Sequence, residues 1–97
     1  MDWTTLLKIG GTMGLEKKVL NSIKTTFESK GLTKPMAWFE YGTLWADTEN
    51  PMAVALIKDS IENVIVPATG DPDNFGVKVT KFKPTKREPW THWAFDF

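Results

Sequence analysis

The sequence predicts an α+β domain, a two-layer sandwich with two helices on one face of a mixed four-stranded sheet. Three observations carry that expectation. Apolar residues recur at helical spacing in two stretches, near 12–30 and 51–66. Aromatic and β-branched residues alternate with polar ones in three others, near 36–46, 75–83 and 90–97. The resulting order, β-α-β-α-β-β, or α-α-β-α-β-β if residues 3–9 are helical, interleaves the two kinds of element.

In residues 3–9, Trp3, Thr5, Leu7 and Ile9 alternate with Thr4, Leu6 and Lys8, which favours a strand over a helical turn. Gly10-Gly11 breaks that pattern, and Thr12 is a candidate cap for a helix reaching to about Lys30. Leu15, Val19, Ile23 and Phe27 form its apolar stripe, and Gly31 supplies the stop. Residues 36–46 are read as one strand. Ala37, Phe39, Tyr41, Thr43 and Trp45 then share one face, and Trp38, Glu40, Gly42 and Leu44 the other.

Asn50 before Pro51 is a helix start, since asparagine caps the free amides and a proline at the first helical position loses nothing. Val54, Ile57, Ile61 and Val64 mark the expected buried stripe, and Ile65-Val66-Pro67 the expected end. Gly70-Asp71-Pro72-Asp73-Asn74 is a loop. The last two strands, about Phe75 to Lys83 and Trp90 to Phe97, are joined through Pro84–Pro89 as a hairpin with a basic tip. In the final strand Thr91, Trp93, Phe95 and Phe97 share one face, and His92, Ala94 and Asp96 the other.

Composition bounds the chemistry. The chain has 97 residues, 41% hydrophobic and 25% charged, which fits one globular domain burying ~60 to 70% of its unfolded surface. With no cysteine, neither disulfides nor thiolate metal sites nor cysteine nucleophiles can form. No apolar run is long enough to span a bilayer, and Asp2 stands where a signal peptide carries basic charge. A soluble, cytoplasmic protein without membrane partners is the expectation. Formal charges cancel to a net charge of zero, so no global field steers the protein toward nucleic acid. Local charge is uneven. Glu40, Asp47, Glu49, Asp59, Glu62, Asp71 and Asp73 face only Lys58 between positions 40 and 75. Lys78, Lys81, Lys83, Lys86 and Arg87 then precede Glu88.

The glycines at 10, 11 and 14 lead into a helix, but Leu15 and Glu16 stand where a phosphate loop needs lysine and a hydroxyl, so a turn explains them better. Asp71 to Gly76 begins like a calcium loop and then places Phe75 and Phe82 at ligand positions, which leaves turn chemistry as the reading. No cofactor motif and no metal motif are present. His92, the only histidine, is a weak catalytic candidate that would act as acid-base with a carboxylate such as Glu40 or Asp96.

The aromatics are the least ordinary feature: five tryptophans, six phenylalanines and one tyrosine. They supply core area, and beyond that an apolar interface or a platform for unpaired bases. The strand and helix order resembles the fold of the Alba family and of the C-terminal domain of bacterial translation initiation factor three, which implies nucleic-acid binding. Gly10-Gly11-Thr12 departs from the basic Gly-Lys-Lys segment that Alba-type proteins carry there.

The leading expectation is a non-enzymatic binding or assembly protein, a homodimer using an aromatic sheet face or its last strand. The alternative is a nucleic-acid binder using Trp90, Trp93, Lys81, Lys83, Lys86 and Arg87, and a third reading is a small metal-independent enzyme using His92.

Overall fold

The computed structural model describes residues 12–69 and 76–97. The expected strand at 3–9, the Gly10-Gly11 turn and most of the 70–76 loop lie outside the described residues. Helix α1 spans Thr12–Ser29, strand β1 Met36–Glu40, strand β2 Thr43–Asp47, helix α2 Pro51–Thr69, strand β3 Lys78–Phe82 and strand β4 His92–Asp96.

Both helices form for local reasons. In α1 the residues Leu15, Val19, Ile23 and Phe27 are buried, as their spacing requires. The helix closes where Gly31 takes a φ of 67°, a left-handed value that favours glycine. The Leu32 amide donates to the Phe27 carbonyl at 2.9 Å and the Gly31 amide to Glu28 at 3.1 Å, the paired bonds of a Schellman cap. Asn50 caps α2, its Oδ1 accepting from the Met52 amide at 3.0 Å.

Two expectations for α2 change. Its buried line runs through Ala53, Ile57, Ser60, Ile61 and Ile65, while Val54 and Val64 are only half-buried. Pro67 does not end the helix, which continues through Thr69. A proline in the last turn removes one amide donor rather than breaking a continuing ladder. The helices meet along a polar seam. Ser60 Oγ lies 2.8 Å from the Leu56 carbonyl and 3.1 Å from Thr26 Oγ1, and Ser22 Oγ donates to the Ser60 carbonyl at 3.2 Å. The fully buried Ser60 hydroxyl is thereby satisfied.

The two-layer α+β architecture with four strands is as expected, but the sheet is antiparallel throughout its described strands rather than mixed, in the order β1-β2-β4-β3. Two local causes account for the difference. The stretch 36–46 is a hairpin, not one strand. Tyr41 at φ 50° and Gly42 at φ 79° both take the left-handed values that a type I′ turn requires. In addition, β2 and β3 do run parallel, as strands joined by a crossover helix should, but β4 lies between them and pairs antiparallel with each. The hairpin at 36–46 gives the described residues the order α-β-β-α-β-β, two strands where the likeness to the Alba and initiation-factor folds had one; the first strand of that likeness lies outside the described residues.

The core lies between the layers. Ala37, Phe39, Leu44, Ala46, Val79, Trp93 and Phe95 of the sheet meet Val19, Ile23 and Phe27 of α1 and Ala53, Ile57, Ile61 and Ile65 of α2. The hairpin turn reverses the chain, so Phe39 sits beside Leu44, and Trp38 beside Trp45. That corrects the face assignment expected for a single strand. In β4 the expected alternation holds, with Phe95 buried in the core and paired with both Leu44 and Val79.

Candidate functional site

The sheet face turned away from the helices carries side chains that the core does not use. Register places Trp38, Trp45, Ala94 and Thr80 in one row across all four strands, and Met36, Asp47, His92 and Phe82 in the next. The rings of Trp45, Phe82 and His92 are in mutual contact. Phe82 stacks on His92 with centroids 5.4 Å apart, and Trp45 lies 5.4 Å from Phe82 and 5.7 Å from His92. Ala94 is only 5% exposed although it faces away from the helices, so the larger side chains around it shelter it.

At one end of this face is a cleft of about 220 Å³ lined by Trp38, Trp45, Trp90, Glu40, Asp47, Glu88 and His92. Its third tryptophan comes from the β3–β4 connection, which is pinned on both sides. The Thr85 amide donates to the Glu88 carbonyl at 2.9 Å and the Glu88 amide to Thr85 Oγ1 at 3.1 Å. Beyond Trp90, Thr91 gives its amide and hydroxyl to the two oxygens of Glu49, at 3.0 and 2.9 Å. Those two bonds, first the hydroxyl and then the amide, hold the Glu49 carboxyl below its ordinary range. The Thr48 amide in turn donates to the Thr91 carbonyl at 3.3 Å.

The charge of the cleft is one-sided. Among the described residues three carboxylates line it and no lysine or arginine does. His92 Nε2 lies 3.5 Å from Glu88 Oε2. Asp47 Oδ1 is shielded from solvent and accepts no hydrogen bond from any described residue. Among the described residues no three His, Asp or Glu side chains converge closely enough to hold a metal ion. A larger and shallower groove of about 670 Å³ runs along α1 and α2. Among the described residues it is lined mainly by hydroxyl and amide side chains such as Asn21, Thr25 and Asn63, with Lys18 the one charged group.

The residues expected to bind do not form one surface. Trp90 is 45% exposed and lines the cleft. Trp93 points to the helix side, where its Nε1 donates to the Thr48 carbonyl at 2.9 Å and Lys81 Nζ stands 5.4 Å from its ring centroid. Lys83, Lys86 and Arg87 are exposed on the connection. His92 is held in the aromatic cluster beside Glu88. Of the partners expected for it, Glu40 lines the same cleft, and Asp96 accepts a 2.8 Å hydrogen bond from Thr43.

Trp38, Trp45, Asp47 and Glu88 were not legible as a site, because the pairing that joins the first two depends on the Tyr41-Gly42 turn. That dipeptide was the one available signal. No protein-family model matches the chain, and no curated protein or solved structure matches it either.

Proposed function

We propose that this chain is a non-enzymatic binding and assembly protein of the cytoplasm that forms a homodimer through its open sheet face. The observation that carries the reading is the band of Trp38, Trp45 and Phe82 on the side of the sheet that neither helix covers. Aromatic side chains set among polar ones are the usual make-up of a protein interface. A chain without cysteine needs no oxidising compartment, which fits the cytoplasmic address. The last strand cannot serve as an interface edge, since β4 has neighbours on both sides.

Size-exclusion chromatography with light scattering should give twice the chain mass, and Trp45→Glu should return it to the monomer. A monomeric mass for the unaltered protein at every practical concentration would overturn the dimer.

A second reading, single-stranded nucleic-acid binding, is supported by Lys83, Lys86 and Arg87 exposed on the connection that also carries Trp90. The carboxylates of Glu40, Asp47 and Glu88 around that tryptophan weigh against it, because they repel phosphate. Salt-sensitive quenching of tryptophan fluorescence by an oligonucleotide, lost in the Lys86→Ala, Arg87→Ala double variant, is its expected signature.

A further inference from the structure

We infer that the cleft between Trp38, Trp45 and Trp90 is a binding site for an organic cation, specifically an alkylated ammonium head group. The inference rests on reading the open face as a binding surface, but not on the dimer.

The walls come first. Three indoles from separate parts of the chain, β1, β2 and the β3–β4 connection, converge on one small space. Indole is the aromatic side chain that attracts cations most strongly over its face, and a group of such rings is how proteins recognise quaternary ammonium ions. The charge agrees with the walls. Glu40, Asp47 and Glu88 make the cleft acidic, which disfavours phosphate, sulfate or a carboxylate ligand and favours a positive one.

Asp47 adds an independent indication. Its Oδ1 is shielded from water and accepts no hydrogen bond from any described residue, which leaves its charge uncompensated among them. Asp47 lines the cleft, so a cation seated between the indoles offsets that charge through space. Size points the same way, since about 220 Å³ is below the ~300 to 1,000 Å³ of clefts that hold drug-sized ligands. A head group fits, not a large molecule.

A metal ion suits the cleft poorly. Calcium and magnesium demand several oxygen ligands at once, and no three candidate groups converge among the described residues. An alkylated ammonium is weakly hydrated and presents methyl groups to the rings, so it loses little on entering an indole-walled space.

The test is a titration of the full chain with choline, and separately with a short peptide containing Nε-trimethyllysine, at constant ionic strength, followed by calorimetry and by the indole NMR signals. The neutral isostere 3,3-dimethylbutanol is the control. Choline should bind saturably and the isostere about tenfold more weakly or worse. The indole signals of Trp38, Trp45 and Trp90 should move while that of Trp93 stays. Asp47→Asn and Trp90→Ala should each weaken binding several-fold, and Tyr41→Phe should leave it unchanged. Tighter binding of the peptide than of choline would identify a protein-borne cation, and the reverse a free one.

Absence of saturable binding to both probes, equal affinity for the neutral isostere, or shifts confined to Trp93 would overturn the proposal. The light-scattering mass, measured on the same samples, reports on the dimer separately.

Discussion

The carboxylate of Glu49 joins two parts of the chain that are distant in sequence. It accepts the amide and hydroxyl of Thr91, next to the peptide whose carbonyl receives the Thr48 amide, so the end of β2 and the start of β4 are tied together. The residue is exposed, and the lowering of its pKa comes from these two hydrogen bonds rather than from burial, which opposes them; Lys81 adds a smaller attraction. A carboxyl whose folded pKa is lowered stabilises the protein above its unfolded value, here near 4.5, and loses that contribution as pH falls through the lower folded value. Glu49→Gln should therefore reduce stability at neutral pH and flatten the decline below pH 4.5. Urea melts of both proteins from neutral to acid pH check this, and parallel curves would mean that the clasp carries no linkage.

At the scale of the element, the β1–β2 hairpin places a tyrosine where the backbone prefers glycine or asparagine. Tyr41 holds a φ of 50° and is 99% exposed, so it contributes no buried area to offset its strained backbone. Tyr41→Asn should stabilise the fold by ~0.5 to 1 kcal/mol, because asparagine tolerates the left-handed region and Asn-Gly is the favoured pair for this turn. The midpoint of a urea melt should rise without a change in slope. A fall in stability would show that Tyr41 serves a contact outside the folded monomer. The same hairpin sets the faces of the sheet, since its reversal puts Trp38 and Trp45 side by side. By contrast, the ends of α1 and α2 are decided within a turn of chain, by Gly31 and Asn50.

For the whole molecule, the two layers leave the sheet unequal. One face is closed by α1 and α2 over Leu44, Ala46 and Phe95, and the other presents an acidic cleft with indole walls and an aromatic cluster. No helix among the described residues is long and apolar enough to cross a membrane. If a second copy covers it, folding and association are linked, and the thermal midpoint should rise with protein concentration. A midpoint independent of concentration would agree with a monomer and leave the face to another ligand.

The sequence by itself determined what is local. The stripe Leu15, Val19, Ile23 and Phe27, the caps at Gly31 and Asn50, and the alternation of β4 each follow from a few neighbouring residues and one repeat period. Tertiary structure decided what depends on pairing between distant segments: the insertion of β4 between β2 and β3, the shift of the α2 stripe toward Ile65, and the gathering of Trp38, Trp45 and Trp90 around Asp47. Periodicity says that a strand has two faces. Only the turn before it and the strand beside it fix which face meets the helices, because reversing the chain at Tyr41-Gly42 exchanges the two.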